Sequence, residues 1–139
     1  MNMATNPKVL PAWLTIDLAC HQSGATVTFT ITFSNTHQVA QAFAFSNRAH
    51  KAELLGLVIE DATGQRVMPK HHLMIRPLRP DPDKHLLEGG ATLSYEMKGN
   101  IVDDYLEFPG ALFELQRGST YQVCFRYHGV RSNKVSFTA

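Results

Sequence analysis

The sequence predicts an all-β domain, an antiparallel sandwich or barrel of about seven to nine short strands. Three observations predict it. Apolar residues recur with a period of two along most of the chain, which places them on one face of a strand. Turn residues such as Gly24, Gly64, Gly90 and Gly129 punctuate those runs. Helical patterning is confined to residues 47–55, and Val102 to Leu112 has room for a single turn.

Met1 to Ala12 reads as a tail with two prolines, and residues 13–139 as a single domain. Leu14, Ile16, Leu18 and Cys20 alternate with Thr15, Asp17 and Ala19. His21-Gln22-Ser23-Gly24 then suits a hairpin connection. Thr26, Thr28, Thr30 and Thr32 alternate with Val27, Phe29, Ile31 and Phe33, the clearest half-buried strand in the chain. Phe43 and Phe45 mark a third strand, Leu55, Leu57 and Ile59 a fourth. The chain turns at Asp61-Ala62-Thr63-Gly64 and returns through Gln65 to Met68. Leu93, Tyr95 and Met97 follow the Glu88-Gly89-Gly90 turn. Tyr121, Val123, Phe125 and Tyr127 make a late strand, and Val135 and Phe137 lie on the closing one. The aromatic residues Phe29, Phe33, Phe43, Phe45 and Phe125 are expected in the core rather than on a base-stacking platform.

The chain has 139 residues, of which 44% are hydrophobic and 18% charged, enough to bury a core without disulfides or metals. A formal net charge of +1 gives no electrostatic case for nucleic acid or an anionic membrane. No run approaches the roughly 18 apolar residues of a membrane helix, and Met1 to Pro11 lacks the pattern of a secretion signal, so either a cytoplasmic protein or one whose leader has been removed is expected, the first preferred. Cys20 lies in phase with the inward residues of its strand, whereas Cys124 lies out of phase with Tyr121, Val123 and Phe125. Opposed parity of this kind disfavours a bridge, and two reduced thiols fit the same compartment.

One connection breaks the rhythm. Pro69 to Glu88 contains Pro69, Pro77, Pro80 and Pro82, and proline is excluded from central strands. Loops longer than roughly 12 to 15 residues are often functional. The candidate contact residues lie here: Lys70, His71, His72, Arg76, Arg79, Asp81, Lys84 and His85. Arginine forks and lysines on a proline-stiffened loop suit the acidic side chains of a protein partner. The bland alternative is an edge loop whose charges only prevent sheet-to-sheet pairing. Met68, His71, His72 and Met74 have ligand chemistry, but neighbouring histidines on an extended chain point opposite ways, so neither a metal nor a cofactor is expected. Asp103, Asp104 and Glu107 read as a solvated acidic turn rather than an acid–base pair. Neither a nucleophile elbow, a phosphate loop nor a zincin motif occurs, so no catalytic residue is assigned.

Two motifs carry a resemblance. Gly118-Ser119-Thr120-Tyr121-Gln122-Val123-Cys124-Phe125 resembles the late strand of immunoglobulin-like domains, with Tyr121 in the place of the tyrosine corner. The order of Ser34-Asn35-Thr36, a Val67-Met68-Pro69-Lys70 strand and Leu86-Leu87-Glu88-Gly89-Gly90 is similar to the immunoglobulin-like domain beside the catalytic domain of deuterolysin-type metallopeptidases. It is also similar to sandwich-type intracellular proteinase inhibitors. The resemblance spans roughly Ala25 to Phe137 and implies an immunoglobulin-like antiparallel sandwich. The zinc-binding helix of the peptidases is missing, so no catalytic residue is carried over. It implies a non-catalytic protein-binding module that inhibits or regulates a peptidase. The alternatives are a toxin-neutralising immunity-type protein and a domain that self-associates as a homodimer.

Overall fold

The computed structural model describes residues 12–44, 56–70, 84–108, 111–127 and 129–139, with backbone alone at 43, 44, 84 and 85. The described residues form twelve strands: β1 (Leu14–Ser23), β2 (Thr26–Asn35), β3 (Gln41–Ala44), β4 (Leu57–Glu60), β5 (Arg66–Val67), β6 (Lys84–Leu87), β7 (Thr92–Val102), β8 (Tyr105–Phe108), β9 (Ala111–Glu114), β10 (Thr120–Tyr127), β11 (Val130–Arg131) and β12 (Val135–Thr138). One sheet has the order β1-β2-β7-β8-β9, and the other β11-β10-β4-β5 with β12 also on β10. β3 and β6 form a separate pair. All pairings are antiparallel, and the sheets are open, in a sandwich-like all-β fold.

The threonine–apolar alternation of β2 works as expected. Val27, Phe29, Ile31 and Phe33 are fully buried, while Thr26, Thr28, Thr30 and Thr32 lie on the other face. Opposite them, Tyr121, Val123 and Phe125 of β10 are buried. Ring contacts cross between the sheets: Phe33 meets Phe125 edge-on at 6.0 Å, and Phe29 meets Phe137 at 6.1 Å. Within the first sheet, Gly99 leaves room for its neighbour on β8. A Cβ at Gly99 would stand 2.8 Å from the Phe108 ring, so the aromatic packs directly over the glycine.

The strand count exceeds the expected seven to nine for identifiable reasons. Val102 to Leu112 holds no helical turn among its described residues. Val102 pairs with Tyr105 across the two-residue turn Asp103-Asp104, and β8 continues into a hairpin with β9. Leu106 and Phe108 are buried with Glu107 exposed between them, the period of a strand. Asp103 takes a left-handed φ of 54°, which aspartate tolerates in turns. The expected long connection is also shorter at both ends, because Lys70 bridges to Leu112 and Lys84–Leu87 is a strand. The closing strand is split into β11 and β12. Between them Ser132 holds Phe125, accepting its N–H on Oγ and donating its own N–H to the Phe125 carbonyl, both at 2.8 Å. The helical pattern of 47–55 and Phe45 lie outside the described residues.

Both cysteines are free. Cys124 faces away from Val123 and Phe125, as its parity requires, yet it is only 4% exposed. It pairs in register with Val58, and the two form a buried apolar couple on the outer face of the second sheet.

Candidate functional site

The candidate residues divide by position. His71, His72, Arg76, Arg79 and Asp81 lie outside the described residues. Lys84 and His85 belong to the backbone of β6, opposite Ala44 and Phe43. Lys70 is described fully and stands elsewhere. Register runs from Lys70 through Leu112, Glu107 and Asn100 to Thr26, at one end of β2. Leu87 is bonded to Asn35 at the other end. Those ends are about 30 Å apart along the strand, so segment 70–85 starts and finishes at opposite ends of the sandwich.

Lys70 marks the apex of an open cleft of about 500 Å³, lined by β5, the β4–β5 turn, the end of β9 and the corner that leads into β10. Lys70 N–H donates to the Leu112 carbonyl at 2.7 Å, which joins the edges of the two sheets at one point. Its ammonium lies 2.9 Å from Glu114 Oε1 and 5.9 Å from the centre of the Tyr105 ring. The Glu114 carboxylate, by hydrogen bond and charge, raises the Lys70 pKa above its ordinary value. Both partners are more than half exposed, so the pair fixes an orientation more than it stabilises the fold.

The other walls are built from local chemistry. Asp61 Oδ1 accepts from the Thr63 hydroxyl at 2.6 Å, from Thr63 N–H at 2.9 Å and from Gln65 N–H at 3.0 Å. These donors, the Thr63 hydroxyl foremost, hold the Asp61 carboxyl below its ordinary range and stiffen the turn before β5. Met68 is 61% exposed on the cleft's rim. At the back, Gly118 takes a φ of 87°, and Gln116 N–H donates to the Tyr121 hydroxyl oxygen at 2.7 Å. Tyr121 is buried and stacks on Phe137 at 5.6 Å. A phenol bonded to backbone a few residues upstream is the geometry of a tyrosine corner.

The motif fragments Ser34-Asn35-Thr36 and Leu86-Leu87-Glu88-Gly89-Gly90 also meet, at the far end. Asn35 is the one buried polar residue among those described, and its amide is fully used. It donates to the carbonyls of Val39 and Leu87 and accepts from His37 N–H, each at 2.9 Å. Its backbone bonds Ala91 and Gly90.

The sequence names Lys70 as a contact candidate but carries no sign of Glu114 or Tyr105 beside it, since no local pattern links strands so far apart in the chain. Among the described residues, no group of three or more His, Cys, Asp or Glu could hold a metal ion, and no helix is long and apolar enough to cross a membrane. No family model matches the chain, and no curated protein matches it significantly.

Proposed function

We propose that the chain is a non-catalytic protein-binding module on an immunoglobulin-like scaffold, an inhibitor or regulator of a peptidase, whose contact surface begins at Lys70. The observation that carries the reading is the cleft at Lys70, open between two strand edges at the root of the basic, proline-rich segment 70–85. Binding groups on such connections are held in place by a rigid sandwich. The Tyr121–Gln116 bond supports the immunoglobulin-like assignment. Burial raises the Cys20 thiol pKa, which makes it a poor nucleophile and supports a role without covalent chemistry. Two free thiols accord with a reducing, cytoplasmic setting.

The test is affinity capture from native lysate with the intact chain and with a Lys70→Glu, Arg76→Glu, Arg79→Glu variant, read by mass spectrometry. A peptidase held by the intact chain alone, and slowed when pure chain is added to it, is the expected result. Equal capture by both baits sinks the surface assignment. A partner that is no peptidase keeps the binding module and removes the inhibitor.

A further inference from the structure

We infer that the cleft beside Lys70 receives an extended peptide segment of a partner, added as a strand to the outer edge of β5, which no described strand pairs. This deepens the protein-binding reading and rests on it. The argument begins with which way backbone groups point. Asp61 N–H bonds the Gln65 carbonyl, so 61–65 is a hydrogen-bonded pair of the β4–β5 ladder. Such pairs alternate in an antiparallel ladder. Ile59–Val67 is therefore the next bonded pair, and the N–H and C=O of Arg66 and Met68 turn away from β4. Lys70 has the same parity, and its N–H does point outward, to Leu112. Pro69 has the opposite parity, so its missing donor falls on the β4 side and leaves the outer edge intact.

The facing wall follows the same rule. Because the Leu112 carbonyl bonds outward to Lys70, Glu114, two residues on in β9, also turns its backbone groups outward. From the Lys70–Leu112 bond the two edges part, with the cleft between them. Arg66 and Met68 thus offer donors and acceptors two residues apart, as along a strand edge, Glu114 offers its own from β9, and no bond from a described residue reaches those of Arg66 or Met68.

The occupant's chemistry follows from this. Main-chain groups that no described residue pairs select main chain, as in other strand-addition complexes. Among the residues that line the cleft, Asp61 and Glu114 stand against Lys70 alone, so charge does not favour an acidic segment. Val67, Leu115 and Tyr121 give an apolar floor, which suits apolar side chains at alternate positions. The free edge of β1 is less open to the same addition, because Asn133 already occupies the backbone groups of Leu18 at its middle.

The probe is the capped peptide acetyl-Lys-Thr-Val-Thr-Val-Thr-Lys-amide, titrated into the intact chain and followed by amide NMR. Shifts centred on Arg66, Met68 and Glu114 are expected. Met68→Pro deletes one outward N–H without touching the β4 ladder and should weaken binding about tenfold or more. The peptide N-methylated at alternate residues should lose as much. Unchanged core amide shifts in Met68→Pro show that the fold is kept, and Arg66→Pro replaces it if they move. No binding at millimolar peptide, equal binding by the proline variant, or shifts centred on β1 each overturn the inference. Lysate capture that survives Met68→Pro but not the charge reversals would leave the binding module standing and remove strand addition.

Discussion

Along the side where β1 meets β12, two side-chain amides each bond a donor and an acceptor of facing backbone, whereas along the side where β5 meets β9 a single backbone bond between described residues precedes an open cleft. On the first side Leu18 N–H donates to Asn133 Oδ1 at 2.8 Å, and Asn133 Nδ2 donates to the Leu18 carbonyl at 2.9 Å. Gln22 repeats the device in the other direction, with Nε2 on the Thr138 carbonyl at 2.7 Å and Oε1 accepting from Thr138 N–H at 3.2 Å. A primary amide carries the same donor–acceptor pair as a peptide unit, so each side chain stands in for one residue of a missing strand. An exposed strand edge is a template for pairing with another chain. Among the described residues, the sandwich blocks that template on one side and leaves the backbone groups of Arg66 and Met68 unbonded on the other.

Four substitutions or conditions probe this contrast. The largest effect is expected from Asn133→Leu. It strands the part-buried N–H and C=O of Leu18, at about 2 kcal/mol or more, and should lower the denaturant midpoint at unchanged m-value. Aggregation through the released β1 edge should accompany it. Tyr121→Phe removes the acceptor of Gln116 N–H at the back of the cleft, at about 1 kcal/mol by the same measurement. If it also alters peptide binding, the Tyr121–Gln116 bond shapes the cleft as well as the fold. Gln22→Ala frees groups that water can reach and should cost less than about 1 kcal/mol. The smallest effect concerns pH. Folding lowers the Asp61 pKa, so its contribution is present above the unfolded value and is lost as pH falls through the folded one. Below the ordinary carboxylate range the amide shifts of Thr63 and Gln65 should therefore move together, and Asp61→Asn should abolish that step.

Much of this contrast was hidden from the sequence. β2 was legible because its threonine–apolar alternation runs for eight residues without interruption, Thr26 to Phe33. β8 and β9 were not, because strands of four residues around Pro109 and Gly110, beside the acidic pair Asp103-Asp104, look like an irregular loop. The inward–outward rule placed Cys124 on the correct face but gave no sign of its burial there, since local periodicity carries nothing about what covers a sheet from outside. The Tyr121–Gln116 bond is short-range in the chain, and the residues around it, Gly118 and the following strand, stand out in the sequence for the same reason. The amide clamps were illegible, for Leu18 and Asn133 are 115 positions apart and each alone is an ordinary strand or turn residue. The cleft was half legible. Lys70 stood out by its proline-rich context, while Glu114 had no such mark.

Amide hydrogen exchange, read residue by residue in the free chain, tests the difference between the two sides most directly. The clamped side predicts slow exchange at Leu18 and Thr138, comparable with amides inside the ladders. The open side predicts fast exchange at Arg66 and Met68. Slow exchange at Arg66 and Met68 would mean that the β5 edge is already occupied, and fast exchange at Leu18 and Thr138 would mean that the amides do not close the other side; either result contradicts the account.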